Sequence, residues 1–360
     1  MNNIEIITGD ALVELGKIET SSVDLIVADP PYNLGKDYGN NHDIQGFDEY
    51  LLLSKNWLRQ AHRILKPSGT IYVFMGFKFI SYLYDILDRE LGMFFNSWIV
   101  WHYTQGMGKI KGFSARHDDI LMFTKSKEFK FNLDNVRVPQ KYFRDRNNMR
   151  GANPGDVWEF SHVHYCNGNR QDHPTQKPEG LIERMVLASS DESDLVVDPF
   201  SGSGTTLRVC QQLGRKSIGI EINPDYVTMT RDRLAASFEG FDSVDSRMER
   251  VPLDLRRPDV RREYLENHKH WFLRHHENAI RKFEESVALQ YGQADDEPSR
   301  QMIMLEESGK HRPKSLERTR SSQGPSTATT QPTCHAEVEG RMGQTTALSR
   351  PAEGQPGIQA

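Results

Sequence analysis

The chain has 360 residues, of which 37% are hydrophobic and 26% charged, and its formal net charge is −5. We see no basic, apolar leader and no apolar run long enough to span a bilayer, so we expect neither a secreted nor a membrane protein. The three cysteines (Cys166, Cys210 and Cys334) are far apart, which favours a cytoplasmic protein without disulfides or a thiolate zinc site. The acidic balance argues weakly against a nucleic-acid partner, but local basic patches decide such binding.

Short β-branched runs alternate with segments of helical period over about the first 225 residues. In chain order, the runs that predict strands are IEIITG, VDLIVA, GTIYVFM, NSWIVWHY, DILMFTK, DLVVD and KSIGIEI. The segments of helical period are DEYLLLSKNWLRQAHRILK, EGLIERMVLASS and TTLRVCQQLG. This alternation predicts an α/β fold with a doubly wound, mostly parallel sheet. In such sheets, ligands bind beyond the carboxyl ends of the strands, where the strand order reverses.

The second predicted strand ends in an unusual turn, ADPPYNLG, at residues 28–35. Two adjacent prolines fix φ and lack N–H groups, so the turn must be stiff and extended. It exposes the Asp29 carboxylate, a backbone carbonyl and the aromatic ring of Tyr32. A structural turn is more usually built from Gly or Asn, so this stiffness favours a functional site.

A second strand, DLVVD, leads through Pro199 into the loop SGSGTT and then a helix. Gly202 and Gly204 permit positive φ and close approach of a ligand to the backbone. The hydroxyl and N–H groups at the start of the helix suit a carboxylate or another anion. Leu207 replaces the residue that a phosphate-binding or dinucleotide-binding loop requires, so a nucleotide phosphate is not expected. The candidate cofactor-binding residues of this loop are Asp198, Phe200, Gly202, Ser203, Gly204, Thr205 and Thr206.

The strand that follows ends at Glu221, whose carboxylate can accept hydrogen bonds from two ribose hydroxyls. The loop and this acid together suit a ligand that has a ribose, an adenine and a small carboxylate but no phosphate. S-adenosyl-L-methionine fits that description.

The DPPY turn suits methyl transfer to an amino group of a nucleobase. Such a nitrogen is a poor nucleophile because its lone pair is delocalised into the ring. Asp29 and the carbonyl of Pro30, whose direction Pro31 fixes, can accept its two N–H bonds and direct the lone pair, while Tyr32 stacks on the base. The target base must leave the duplex to reach such a pocket. A helix-capping Asp in a Pro-rich turn is the structural alternative.

DPPY followed by DPFSGSGTT resembles the amino-group DNA methyltransferases. The order of the motifs, catalytic first and methyl-donor second, is similar to the β class of DNA adenine-N6 methyltransferases of type II restriction–modification systems and solitary methylases. The likeness covers about residues 3–235. The further matching segments are TGDALVEL, ILKPSGTIYV, RHDDILMFTK, HPTQKP and GIEINPDY.

The resemblance implies that Asp10 contacts the adenine of the cofactor and that HPTQKP adjoins its methionine end, where Thr175 and Lys177 could carry the contact. It also implies duplex DNA as partner and, for a restriction–modification enzyme, a cognate endonuclease. Members specific for cytosine N4 more often have Ser at the position of Asp29, so Asp29 favours adenine as the predicted target base.

The segment from about 102 to 170 is predicted to be the target-recognition region. Residues 102–180 hold 13 Lys or Arg and 9 Asp or Glu, a local excess of four positive charges. KYFRDRNNMRGANPG interleaves basic, aromatic and amide side chains, which contact phosphates and read base edges. The candidate DNA-binding residues are Lys141, Arg144, Arg146 and Arg150.

The chain is expected to contain a methyltransferase domain (1–240), a helical appendix (241–295) and a disordered polar tail (296–360). An apolar stripe on the appendix, from Leu265 to Val287, indicates docking on the core, dimerisation or DNA contact. The tail has too few apolar residues to offset its ordering entropy. His162, His164 and Cys166 lack a well-spaced fourth ligand, so no metal is expected.

Three alternatives remain open from the sequence. Two are enzymatic, transfer to cytosine N4 and transfer to an RNA amino group. The third is a catalytically idle, sequence-specific DNA-binding subunit, against which the intact DPPY and donor motifs argue.

Overall fold

The computed structural model describes residues 3–35, 44–104, 108–139, 151–163, 171, 173–238, 240–241, 251, 257, 259–260, 263–264 and 285. The chain divides into two units, Met1–Leu305 and Glu306–Ala360. All described residues belong to the first unit, so the predicted tail and most of the appendix, including the stripe from Leu265 to Val287, lie outside them.

The first unit has an α/β fold built on one mixed sheet. Its strands are β1 (Ile4–Thr8), β2 (Val23–Ala28), β3 (Leu65–Met75), β4 (Phe94–His102), β5 (His117–Thr124), β6 (Val157–Glu159), β7 (Leu195–Asp198) and β8 (Lys216–Glu221). The helices are α1 (Ala11–Lys17), α2 (Phe47–Ile64), α3 (Ile80–Asp85), α4 (Glu179–Ser189), α5 (Thr205–Gln212) and α6 (Pro224–Ala235). A π-helical turn (Ile86–Glu90) and a 3₁₀ turn (Leu133–Asn135) complete the described elements.

The strand order is β1-β8-β7-β2-β3-β5-β4-β6. Strand β5 runs antiparallel to both of its neighbours, β3 and β4, and the other neighbouring pairs are parallel. The chain winds outward from the centre in both directions, from β2 to β3 and from β7 to β8. The doubly wound, mostly parallel sheet predicted from the sequence is therefore confirmed.

Strand β2 shows why the sheet is covered on both faces. Ile26 and Ala28 pack in a cluster with residues of α2 and α3, whereas Leu25 and Val27 pack in a cluster with residues of α4 and α5. Alternate side chains of a strand point to opposite faces, so an uninterrupted apolar run can serve two layers of helices.

Local sequence signals begin two of the helices. Asp10 caps α1, because its carboxylate accepts hydrogen bonds from the N–H groups of Leu12 and Val13 at 2.8 and 3.3 Å. Asn223 caps α6, and Pro224 follows it at a first-turn position, where its missing N–H costs nothing. Within the described part of the chain, no helix is long and apolar enough to cross a membrane.

One described residue of the predicted appendix packs against the predicted target-recognition region (102–170). The N–H of Val251 donates to the carbonyl of Arg137 at 2.7 Å, and its side chain is buried. A Cβ placed on Gly151 would come within 2.8 Å of Val251, so the contact is close. Val251 therefore docks on the segment next to the Val138–Ala152 bridge.

Candidate active site

The two motif-bearing loops leave the sheet side by side. Strands β2 and β7 are parallel neighbours, with Leu25 opposite Val196 and Ile26 opposite Val197. The chain leads outward from this pair in opposite directions, so the pair is the switch point at which a doubly wound sheet opens a crevice. The DPPY turn follows β2, and the loop SGSGTT (residues 201–206), called the donor loop below after its predicted role, follows β7.

A cavity of about 880 Å³ lies at this edge of the sheet. Its walls combine the DPPY turn, the donor loop, the HPTQKP stretch and the start of α1. Every predicted catalytic residue and every predicted cofactor-binding residue except Gly204 lines it, namely Asp10, Asp29, Pro30, Pro31, Tyr32, Thr175, Lys177, Asp198, Phe200, Gly202, Ser203, Thr205, Thr206 and Glu221. The structure thus brings together residues that are far apart in the sequence.

The DPPY turn is held rigid by neighbouring side chains. The Tyr50 hydroxyl on α2 donates to the carbonyl of Pro31 at 2.6 Å. Asn33 has φ 56°, a left-handed conformation that Asn tolerates. Its side chain donates to the Gln45 carbonyl at 3.1 Å and accepts from the Gln45 N–H at 2.7 Å. The turn is therefore tied to the segment that begins α2.

Lys177 makes a contact that the sequence did not predict. Its ammonium lies 2.5 Å from Asp29 Oδ2, and both side chains are largely buried. The resemblance implies that Lys177 contacts the methionine end of the cofactor; in the structure its side chain reaches Asp29, the predicted catalytic acid. This contact could not be predicted from the sequence, because the two residues are 148 positions apart and periodicity relates only residues that are close in the chain.

The glycines of the donor loop adopt left-handed conformations, as predicted, with φ 50° at Gly202 and 73° at Gly204. They also admit close protein neighbours. A Cβ on Gly202 would lie 2.8 Å from the His173 ring, and one on Gly204 would lie 2.4 Å from Thr230. Close packing against the HPTQKP stretch and α6 therefore requires glycine at both positions, whether or not a ligand also approaches the backbone.

The hydroxyl of Thr205 is used inside the protein. It donates to the Lys177 carbonyl at 3.3 Å and accepts from Arg233 at 3.0 Å. Arg233 also donates to the carbonyl of Ser203 at 2.8 Å and to the Glu179 carboxylate at 2.8 Å. Because Arg233 and Glu179 are both buried, this ion pair locks α6 and the start of α4 around the donor loop.

Two acids at the strand ends are perturbed by burial. Burial raises the pKa of the Asp198 carboxyl to about 7, and the charges of Asp29 and Glu221 act in the same direction. Hydrogen bonds from Thr206 and from the N–H of Phe200 oppose the rise.

Burial also raises the pKa of Glu221. The N–H groups of Gly202 and Asn223, each 2.8 Å from a Glu221 carboxylate oxygen, act in the opposite direction. The carboxylate thus links the end of β8 to the donor loop, and its remaining lone pairs can accept from a ligand in the cavity.

Two other predicted residues hold structural positions within the cavity wall. Asp10 caps α1, and Phe200 packs its ring edge-to-face on Trp57 with centroids 5.2 Å apart.

Two other outcomes concern residues away from the cavity wall. Outside the described part of the chain lie the candidate DNA-binding residues, Lys141, Arg144, Arg146 and Arg150. Sequence reasoning missed the Glu179–Arg233 pair, since an Arg in the last turn of a helix is common for electrostatic reasons alone.

Comparisons with known proteins agree with this architecture. Residues 23–232 match the sequence profile of the N6_N4_Mtase family, described as DNA methylase. The chain is 59% identical to the type II methyltransferase M.HpaI of Haemophilus parainfluenzae, over 79% of this chain and 91% of the relative. It is 41% identical to the DNA adenine methyltransferase YhdJ of Escherichia coli (strain K12), over 64% of this chain and 82% of the relative.

Among solved structures, the PvuII DNA methyltransferase (cytosine-N4-specific) aligns with a TM-score of 0.53 and 22% identity, over 65% of this chain and 86% of that chain. At that identity, the likeness shows the fold alone. The family profile covers more than half of the chain, and the M.HpaI relative aligns along most of both sequences. The chain therefore belongs to the N6/N4 family of DNA methylases.

Proposed function

We propose that the chain is a sequence-specific DNA methyltransferase that moves a methyl group from S-adenosyl-L-methionine to the N6 amino group of an adenine flipped out of duplex DNA. One observation carries the proposal: the DPPY turn and the donor loop open into one cavity at the switch point of the sheet. A donor and an acceptor bound in these two loops would be held side by side, which is the main requirement of a transfer reaction.

The donor end of the cavity suits S-adenosylmethionine. Glu221 can accept from ribose hydroxyls, and Asp10 lies near the start of α1, where the resemblance to the family puts the adenine. Gly202, which has a left-handed conformation, lines the cavity without a side chain. When bound, S-adenosylmethionine supplies a methyl group on a positively charged sulfur, an electrophilic carbon.

At the catalytic end, the protein supplies acceptors and a stacking surface. Asp29 and the Pro30 carbonyl accept the two N–H bonds of the target amino group, so that the nitrogen becomes pyramidal and its lone pair points to the methyl carbon. Tyr32 stacks on the base. These groups would stabilise the positive charge that develops on the nitrogen, which lowers the barrier. The methylated nitrogen would then release one proton to solvent and leave a neutral methylamino group.

Adenine is the proposed target because Asp29 occupies the position at which cytosine-N4 enzymes more often have Ser, and because the YhdJ relative is named an adenine methyltransferase. Cytosine N4 is the alternative, since the family profile covers both kinds and a similar fold belongs to a cytosine-N4-specific enzyme.

Duplex DNA is the proposed partner. Lys109 and Lys111 are exposed in the loop between β4 and β5. Ile110, between them, and Phe113, two residues after Lys111, are fully exposed. Ala115, near the end of this loop, and Asp118, at the start of β5, line the cavity. Cations beside exposed apolar side chains suit a DNA backbone and its bases. The M.HpaI relative is named a type II methyltransferase, which supports a cognate endonuclease as a further partner. The apolar stripe of the appendix supports a second copy of the chain as another proposed partner.

Nucleoside mass spectrometry of duplex DNA and RNA incubated with the protein and S-adenosylmethionine tests the proposal. We expect N6-methyladenine in DNA only, and its loss with Asp29→Ala, because that variant lacks the acceptor for the amino group. Sequencing of DNA from expressing cells would then identify the modified site.

Other outcomes would each overturn part of the proposal. N4-methylcytosine would reassign the base, and a product in RNA would reassign the polymer. Binding to DNA without any methylated product would support the idle DNA-binding subunit. Near-normal turnover by Asp29→Ala would remove Asp29 from the reaction.

A further inference from the structure

Lys177 spans the distance between the two loops of the cavity. Its backbone belongs to the donor side, because its carbonyl accepts from the hydroxyl of Thr205 at the start of α5. Its side chain belongs to the catalytic side, because Nζ lies 2.5 Å from Asp29 Oδ2. A single flexible side chain is therefore anchored at one half of the site and ends at the other.

The Lys177 ammonium has a well-defined environment in the free protein. Besides Asp29 it contacts the Thr175 carbonyl at 3.4 Å. It also lies over the rings of Tyr32, Phe74 and Trp101, with distances to the ring centroids of 5.5, 5.4 and 6.0 Å. The lysine side chain is only 9% exposed. A buried cation held by an acid and three aromatic faces is strongly favoured over one left without an anion.

This arrangement conflicts with methyl transfer. Asp29 Oδ1 is inaccessible to solvent and has no hydrogen-bond partner among the described residues. The 21% of the side chain that is exposed must therefore belong to its other atoms, which include Oδ2, the oxygen that Lys177 occupies. Moreover, the amino nitrogen gains positive charge as it takes the methyl group, and an ammonium beside it would raise the barrier.

We infer that Lys177 blocks Asp29 in the free protein and leaves it for the carboxylate of a bound methyl donor, so that capture of the target base depends on prior donor binding. This inference rests on the proposed function and assigns Lys177 as a positioning residue. The start of α5, beside the Lys177 backbone, offers N–H groups that suit the same carboxylate. Movement of the side chain alone would uncover Oδ2 for the target amino group.

The inference makes a prediction that requires no DNA. Asp29 and the donor carboxylate compete for one ammonium, so removing the Asp29 charge must strengthen the binding of ligands that carry the carboxylate. S-adenosylhomocysteine carries it, whereas 5′-methylthioadenosine has the same nucleoside without the amino-acid end. The pair of ligands isolates the contribution of that end.

Isothermal titration calorimetry on the full chain measures both ligands with wild type, Asp29→Asn and Lys177→Gln. We expect Asp29→Asn to tighten S-adenosylhomocysteine by about fivefold or more, the lower end of typical coupling between sites. Methylthioadenosine should be unaffected. Lys177→Gln should weaken S-adenosylhomocysteine, and in the double variant the gain from Asp29→Asn should disappear. Lys177→Arg, which keeps the charge, should restore part of the affinity.

Asp24→Asn is the matched control. Asp24 is also on β2 and forms an ion pair with Lys66 at 2.8 Å, but it does not line the cavity. An Asn at this position can still accept from the Leu195 N–H, so the replacement should change neither affinity. Equal effects of Asp29→Asn on both ligands, or no effect on either, would overturn the inference. Because no DNA is present, this result is independent of whether the modified base proves to be adenine, the question that mass spectrometry answers.

Discussion

Asp198 gives a pH dependence at the residue scale. Its pKa rises from an ordinary value of 3.8 to about 7 in the folded protein, so between these pH values the folded state holds a proton that the unfolded state has lost. The free energy of unfolding should therefore fall as pH rises through this window, with a slope of up to about 1.4 kcal/mol per pH unit. Above about pH 7 both states are ionised and the slope from this residue vanishes.

Denaturant unfolding of Asp198→Asn at several pH values checks this prediction. An Asn can still accept from the Phe200 N–H and donate to Thr206, but it does not ionise, so the slope between about pH 4 and 7 should become shallower. Asp232→Asn, an exposed change on α6, should leave the profile of the wild type unchanged. Parallel profiles for wild type and Asp198→Asn would contradict the raised pKa.

The residues of the cavity differ in how far their positions follow from the sequence. Asp29 and Glu221 could be placed at one edge of the sheet, because each lies at the end of an apolar strand and the carboxyl ends of parallel strands meet there. The contact between Lys177 and Asp29 could not be predicted, because it depends on how two distant loops pack. Gly202 and Gly204 were expected to permit positive φ, but the His173 and Thr230 contacts that also require glycine came only from the structure.

At the scale of elements, long or strongly apolar segments were predicted well. All seven runs proposed as strands are strands, and α2, α4 and α5 coincide with the segments of helical period. The three-residue β6 gave no signal, because its pairing with β4 rather than its own sequence defines it. The antiparallel direction of β5 was likewise invisible, since direction follows from the connections between strands.

The Glu179–Arg233 pair leads to a prediction for the elements it joins. Arg233→Met would leave the buried Glu179 carboxylate without its cation and remove the hydrogen bonds that Arg233 donates to Ser203 and Thr205 of the donor loop. We expect a loss of about 3–5 kcal/mol in the free energy of unfolding, as for other broken buried pairs. Chemical denaturation measures this loss.

Two comparisons sharpen that measurement. Arg89→Met removes the exposed pair with Asp85, and it should cost less than about 1 kcal/mol. The double variant Glu179→Leu/Arg233→Met should recover part of the stability, because neither member of the pair is then left as a buried charge without its counter-ion. If Arg233→Met costs no more than Arg89→Met, the pair does not hold α4 and α6 together.

At the scale of the whole molecule, two truncations separate the contribution of residues 241–305 from that of residues 306–360. Removing residues 306–360 should leave the melting temperature unchanged, because that segment has few apolar residues to bury. Removing residues 241–360 should lower it, since Val251 would no longer cover the segment at Arg137 and Gly151.

Differential scanning calorimetry of both truncated chains makes the comparison, with activity and molar mass measured alongside. Val251→Asp in the full chain should reproduce part of the destabilisation, because it places a charge in a buried contact. If both truncated chains melt like the full chain, residues 241–305 do not stabilise the methylase domain.

The neighbouring position of β2 and β7 has a consequence for protein synthesis. Asp24 and Leu195 are 171 residues apart, yet they are joined by a hydrogen bond at the centre of the sheet. The ribosome releases the DPPY turn early, and the strand that must lie beside it emerges only after most of the domain has been made. A nascent or prematurely ended chain that stops before Asp198 has Asp29 but lacks the loop that follows β7. On the proposed function, such a chain binds no methyl donor and leaves the DNA of the cell that makes it unmodified.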